Sequence, residues 1–260
     1  MGKLLPSLKV QGRVIHALLV REMSTRFGRD NIGFLWIMVE PVLFALLVGI
    51  MYRAIQGPEH HGVSVFAFVV SGYIPLVMFR HAISRCVMLF TANGALMYHR
   101  QIKIYDFIFA RFVIESVGHL MAYAFIGLAL GAFGLFAIPE YPGMLILGYL
   151  YYSIFTLGVC FVLTPLSEVS EFVEKIIPVT TYIMVPFSGT FYMVSWLTPT
   201  AQDVLYYSPP VHAMEMMRYG LFGNAVTATY DFVYPLAFSL ICMMIGLMLC
   251  RHVRRDLVVE

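Results

Sequence analysis

The sequence predicts an all-α integral membrane protein. It reads as six transmembrane helices, an N-terminal amphipathic interface helix, and two short re-entrant or periplasmic helices between spans 5 and 6. Three observations carry this. Apolar types make up 60% of the 260 residues and charged types only 12%, where a soluble domain carries about a quarter charged. Apolar runs of about 20 residues, the length a bilayer core requires, recur along the chain. The basic residues are also one-sided. With the N-terminus inside, Lys3, Lys9, Arg13, Arg21, Arg26, Arg29, Arg100, Lys103, Lys175, Arg251, Arg254 and Arg255 fall on the cytoplasmic side, and only Arg53 and Arg218 outside. Arg80, Arg85 and Arg111 sit within or near helix ends on the inner half. Both termini are therefore expected in the cytoplasm, with residues 1–260 forming one membrane domain.

Residues 8–28 alternate an apolar stripe (Val14, Ile15, Leu18, Leu19, Met23, Phe27) with Lys9, Arg13, Arg21, Glu22 and Arg26. That periodicity gives a helix lying in the interface, held by apolar burial and anionic lipid or by a protein partner beneath it. The early run Val14 to Val20 is short and is followed by Arg21 and Glu22, so the first true span is expected to act as the insertion signal. Span 1 covers about residues 32–53 and contains Glu40-Pro41; a short polar loop with Gly57-Pro58 follows. Span 2, about 65–90, exceeds one perpendicular crossing, and its Arg80 and Arg85 require its lower third to leave the hydrocarbon or line a polar cavity.

The stretch from Thr91 to Asp106 is a short basic hinge between apolar runs, and it should face the cytoplasm as the place where a soluble partner grips. Span 3, about 107–136, carries Gly127 and Gly131, a pair that suggests close helix packing. Ile138 to Gly143 reads as a tight turn and span 4 as about 144–163. A polar connection with Glu168, Glu171, Glu174 and Lys175 leads to span 5, about 177–196. Ser208-Pro209-Pro210 divides residues 197–230 into two helical patterns of about a dozen residues, too short to span. Span 6 is about 232–250.

The chemistry excludes several functions. No GxxxxGK[ST] occurs, so ATP cannot bind here through a P-loop. HExxH and GxSxG are absent, so no catalytic residue is assigned and a lipid-modifying membrane enzyme lacks its machinery. His60-His61 reads as a solvated loop pair, and no metal site is expected. Cys86, Cys160, Cys242 and Cys250 lie in or beside apolar runs and read as small core residues. Among intramembrane ionisable residues, Glu40 is expected near Arg80, and Arg111 is expected to pair with Glu115 at i,i+4; His119 joins this group. Tyrosines and tryptophan near the presumed interfaces, including Tyr149, Tyr151, Tyr152, Tyr230 and Tyr234, fit either an aromatic belt or a path that stacks on sugar rings.

Three stretches resemble the permeases of type-2 ABC exporters. REMSTRFGRDNIGFLWIMVEP, carrying Arg21, Glu22, Arg26, Gly28, Gly33, Trp36, Glu40 and Pro41, is similar to the first segment of that family. SGYIPLVMFRHAISRCVMLFTANGALMYHRQIK resembles its second span and coupling loop, and SPPVHAMEMMRYGLFGN its outer segment. HRQIKIYDFIFARFVIE, with Ile104-Tyr105 and no Phe-Pro, looks most like the capsular polysaccharide export branch. The resemblance implies a homodimer in the bacterial inner membrane, paired with two ATP-binding subunits and moving a lipid-linked polysaccharide. ATP and Mg would sit on the partner subunit, with no cofactor in this chain, and a periplasmic bridging protein would complete the system; no nucleic acid is implied. It further implies coupling to the ATPase through Asn93, Tyr98, Arg100 and Lys103, and a gate and substrate path at Arg26, Arg29, Trp36, Glu40, Tyr52 and Arg80. A periplasmic exit would form at Tyr192, Trp196, Tyr206, Tyr207, Glu215 and Arg218. A permease for O-antigen, teichoic acid or a small hydrophobic compound is the alternative.

Overall fold

A computed structural model describes residues 4–27, 32–97, 102–136 and 138–257. Its helices are α1 (Leu4–Phe27), α2 (Ile32–Gln56), α3 (Val65–Cys86), α4 (Leu89–Ala92), α5 (Gly94–Met97), α6 (Ile104–Ala132), α7 (Pro142–Val169), α8 (Glu171–Phe187), α9 (Pro199–Tyr206), α10 (Pro209–Phe222) and α11 (Val233–Leu257). The one described sheet is a two-residue antiparallel hairpin in the α2–α3 loop, turned by His61 and Gly62 in left-handed backbone. The chain is an all-α integral membrane protein. Five described helices are long and apolar enough to cross a membrane: α2, α3, α6, α7 and α11.

The expected fifth span takes a different form. α8 begins at Glu171, inside the stretch read as a polar connection, and stops at Phe187 after 17 residues. At 1.5 Å per residue it is about 26 Å long, short of a core of about 30 Å. Pro186 and the left-handed Gly189 lie at its end, and residues 188–197 turn back as a loop with one 3-10 turn. α7, by contrast, runs to Val169, past the expected end of span 4. Hydropathy marks where a helix meets lipid, and helicity continues into water when capping supports it.

α3 forms the centre of the bundle and is buried over most of its length. α2 and α11 present broad apolar faces outward, among them Leu43, Phe44, Leu47 and Ile50 on one and Ile241, Met244 and Met248 on the other. The tightest helix contacts use glycines outside the expected Gly127/Gly131 pair. Added Cβ atoms would lie 2.2 Å from the Leu145 backbone nitrogen at Gly220, 2.4 Å from the Phe161 backbone at Gly246, and 2.7 Å from Met217 at Gly148. These three sites clamp α7 between α10 and α11. Gly127 instead faces Phe136, which follows its own helix at 3.6 Å, so the GxxxG spacing seats a turn rather than a second helix.

Candidate functional site

The end of the bundle that carries α4 and α5 is built around a break in the chain. α3 ends at Cys86, and Met88 takes a left-handed conformation with φ of 49°. Span 2 therefore ends four residues before its expected limit, and α4 and α5 follow as two single turns. Three neighbours hold this segment. From α7, the Ser167 hydroxyl accepts the Met88 N–H at 3.2 Å, and the Glu168 carboxylate accepts from the Phe90 N–H at 2.6 Å and the Thr91 hydroxyl at 2.6 Å. A carboxylate on the first N–H groups of a helical turn satisfies donors that the helix leaves open. From α1, Arg21 donates to Asn93 Oδ1 at 2.9 Å, while the Asn93 amide donates to the Leu89 carbonyl. At the start of α6, Asp106 accepts from the Lys103 N–H at 2.8 Å and from the Gln11 side chain.

Of the expected coupling residues, Asn93 is 5% exposed and spends its amide inside the chain. Lys103 is half-buried at the start of α6. Tyr98 and Arg100 lie outside the described residues, as does Arg29 of the expected gate. Exposed surface on the segment comes from Thr91, Ala92 and Ala95.

α1 does not use its charges on lipid alone. Its Glu22 pairs with Arg111 at 3.1 Å, and its Arg26 pairs with the fully buried Glu115. The expected Arg111–Glu115 pair is thus replaced by a crossed arrangement of opposite charges from two helices. Glu22 and Arg26 stand one turn apart, as do Arg111 and Glu115, with the signs reversed. Each charge is matched across the interface, and Leu18 packs beneath them at 6% exposure. Reversing Glu22→Arg or Arg111→Glu alone is expected to cost about 1 kcal/mol or more through loss of the ion pair and the like-charge contact that replaces it. The double exchange should recover most of the loss, measured as folded protein in detergent; a double variant no better than either single would show that the pair does not hold α1.

The remaining gate residues are spread along α2 and α3. Trp36 is 62% exposed. Glu40 lies 3.7 Å from His81 rather than pairing with Arg80. Arg80 instead lies over the Tyr182 ring of α8 at 4.1 Å, since adjacent positions on a helix point about 100° apart. Tyr52 stacks on Phe191 at 5.7 Å.

At the opposite end, α9 and α10 cap the bundle, and α10 is buried from Pro209 to Arg218. Glu215 and Arg218 do not pair with each other directly. Glu215 accepts from the Val194 N–H at 3.1 Å and the Thr229 N–H at 3.0 Å. Arg218 donates to the carbonyls of Gly189, Thr190 and Tyr192 and lies 3.8 Å over the Phe68 ring. Gly72 lets the Thr190 carbonyl come that close: a Cβ there would sit 2.2 Å from its oxygen. Trp196 stacks on Phe68 at 4.9 Å and on His61 at 4.5 Å, so the His60-His61 pair, with His61 exposed in the hairpin turn, also joins an aromatic stack. Tyr192 is half-buried and donates to the Pro186 carbonyl, whereas Tyr206 and Tyr207 are exposed. Just past this cap the Asp231 carboxyl is held below its ordinary range by the N–H groups of Tyr234 and Val233.

Sequence reasoning missed Ser167, Glu168 and His81. Glu168 was visible as an acid just past span 4, but nothing local shows that it caps a segment 77 residues away.

A break follows α3, two ion pairs clamp α1 to α6, and α10 is buried at the opposite end of the bundle. The chain belongs to the ABC-2 type transporter family, whose pattern matches residues 13–222. It is similar to the capsule polysaccharide export inner-membrane protein CtrC of Neisseria meningitidis serogroup B, with 35% identity covering 93% of this chain and 91% of the relative. The capsule polysaccharide export inner-membrane protein BexB of Haemophilus influenzae is 31% identical, over 95% of this chain and 93% of its own. The polysialic acid transport protein KpsM of Escherichia coli is 25% identical over 94% of both.

Proposed function

We propose that the chain is the permease subunit of an ATP-driven exporter that moves lipid-linked capsular polysaccharide across the bacterial inner membrane. The observation that carries the reading is near full-length similarity to relatives named as capsule polysaccharide export inner-membrane proteins. In this reading two copies pair with two ATP-binding subunits that supply ATP and Mg, both termini face the cytoplasm, and a periplasmic partner receives the polymer. Residues 91–106 form the docking segment. Asn93 positions it, and Tyr98, Arg100 and Lys103 meet the ATPase. The internal bracing of α4 and α5 by Ser167, Glu168 and Arg21 supports this, because a segment that transmits force must be fixed to the helices it moves.

Arg26 and Glu40 shape the inner opening, and the exposed Trp36 contacts the lipid-linked substrate. Tyr192, Trp196, Tyr206 and Tyr207 line the outer exit, held in place by Glu215 and Arg218. The test is charge reversal in the assembled exporter. Lys103→Glu and Arg100→Glu are each expected to leave membrane insertion and ATP hydrolysis in place and to lower polymer export by about tenfold, the factor for roughly 1.4 kcal/mol. Unchanged export in both would refute docking through this segment.

A further inference from the structure

We propose that His81, Glu115 and His119 bind a divalent transition-metal ion of the zinc type on the inner half of the bundle. One ring nitrogen from each histidine and one carboxylate oxygen of Glu115 lie within 4.8 Å of one another. The Glu115 Oε2 atom is 4.0 Å from His81 Nδ1 and 3.8 Å from His119 Nδ1. With metal–ligand bonds of about 2.0–2.2 Å, donors in a tetrahedral zinc site stand about 3.4 Å apart. Glu115 Oε2 therefore needs to approach each ring by only about half an ångström, and the two rings, within 4.8 Å, to close by up to about 1.4 Å. A shared proton fits less well, since it bridges two atoms at roughly 2.5–3.0 Å, and here three groups converge across wider gaps.

A buried lone pair points the same way. Glu115 and His119 are fully buried, and neither Glu115 Oε2 nor His119 Nε2 has a hydrogen-bond partner. An orphaned buried carboxylate oxygen is costly, and a cation between the two rings satisfies it. The surrounding groups also bear on the histidines as ligands. His119 Nδ1, the ring nitrogen beside Glu115 Oε2, also lies 2.8 Å from the Glu115 carbonyl, so binding the ion exchanges that carbonyl contact for the metal. His81 turns Nε2 toward Glu40 at 3.7 Å and Nδ1 toward Glu115. A carboxylate behind the ring is a usual support of a metal-binding imidazole.

Arg26 holds the other Glu115 oxygen, and Arg85 lies 4.0 Å from it. These cations weaken the attraction for a dication, so the expected affinity is on the order of micromolar rather than nanomolar. His81 is 28% exposed on its side chain and Glu40 42%, which gives the ion a way in. A bound ion would tie α3 to α6 and, through Glu40 and Arg26, brace α2 and α1.

The test uses the full chain without a polyhistidine tag, in detergent, titrated with zinc chloride by calorimetry and with cobalt(II) by visible absorption. One equivalent is expected to bind, with the intense bands of tetrahedral cobalt. His119→Gln and His81→Asn should abolish it. His81→Asn, at a partly exposed position, carries the test if His119→Gln fails to fold. Glu40→Gln should weaken binding by about tenfold or more. The pair His60→Ala with His61→Ala should leave binding intact. No stoichiometric binding, binding that survives His81→Asn, or binding lost with His60 and His61 would overturn the site.

Discussion

Arg218→Met is expected to leave little folded protein, with the melting temperature of the detergent-solubilised chain falling sharply. Arg218 is 0% exposed, and its guanidinium serves the carbonyls of Gly189, Thr190 and Tyr192 at once. Methionine has similar length and no donor, so three buried acceptors lose their partner. Each costs about 1–3 kcal/mol, and the sum is a large part of the roughly 5–15 kcal/mol that holds a domain together. Arg218→Lys keeps the charge but lacks the flat fork that reaches three oxygens, and should fall between the two. Emission from Trp196, stacked on Phe68 directly under the guanidinium, is a local reporter. Equal melting of wild type and Arg218→Met would show that the loop from Gly189 to Tyr192 is held by something else.

Glu168→Ala is expected to separate ATP hydrolysis from transport. The carboxylate is the acceptor for the Phe90 and Thr91 N–H groups and the Thr91 hydroxyl. Losing such a cap costs about 1–2 kcal/mol, enough to free α4 from α7 without unfolding the bundle. In the assembled exporter, hydrolysis should persist while polymer export drops by about tenfold or more. Ser167→Ala, which removes the acceptor of the Met88 N–H alone, should give a smaller defect of the same kind. Parallel loss of hydrolysis and export in Glu168→Ala would mean that the segment only needs to be present, not braced.

The membrane class, the N-terminal helix, most spanning helices and the Pro-Pro division between α9 and α10 were legible in the sequence, because each is written locally as apolar period, length or proline. What was not legible is pairing at long range. Arg111 and Glu115 satisfy an i,i+4 rule on paper, yet their partners come from α1, with Arg26 and Glu115 lying 89 residues apart in the chain. Glycines were misread for a related reason. Gly127 and Gly131 match a known spacing, but the close approaches fall at Gly148, Gly220 and Gly246, isolated glycines whose role depends on which helix arrives opposite them. Helix ends beyond the bilayer, such as Val169, carry no hydropathy signal.

The continuous helix α7 has a mechanical meaning. Near its N-terminal end Gly148 rests against α10, which carries the cap, and near its C-terminal end Ser167 and Glu168 hold the α4 segment. One helix of about 42 Å thus joins the cap to the α4 segment. Pro165 removes a backbone hydrogen bond just before the α4 grip. Any coupling through this helix is reciprocal: a displacement of the α4 segment that shifts the cap implies that a load on the cap resists it equally.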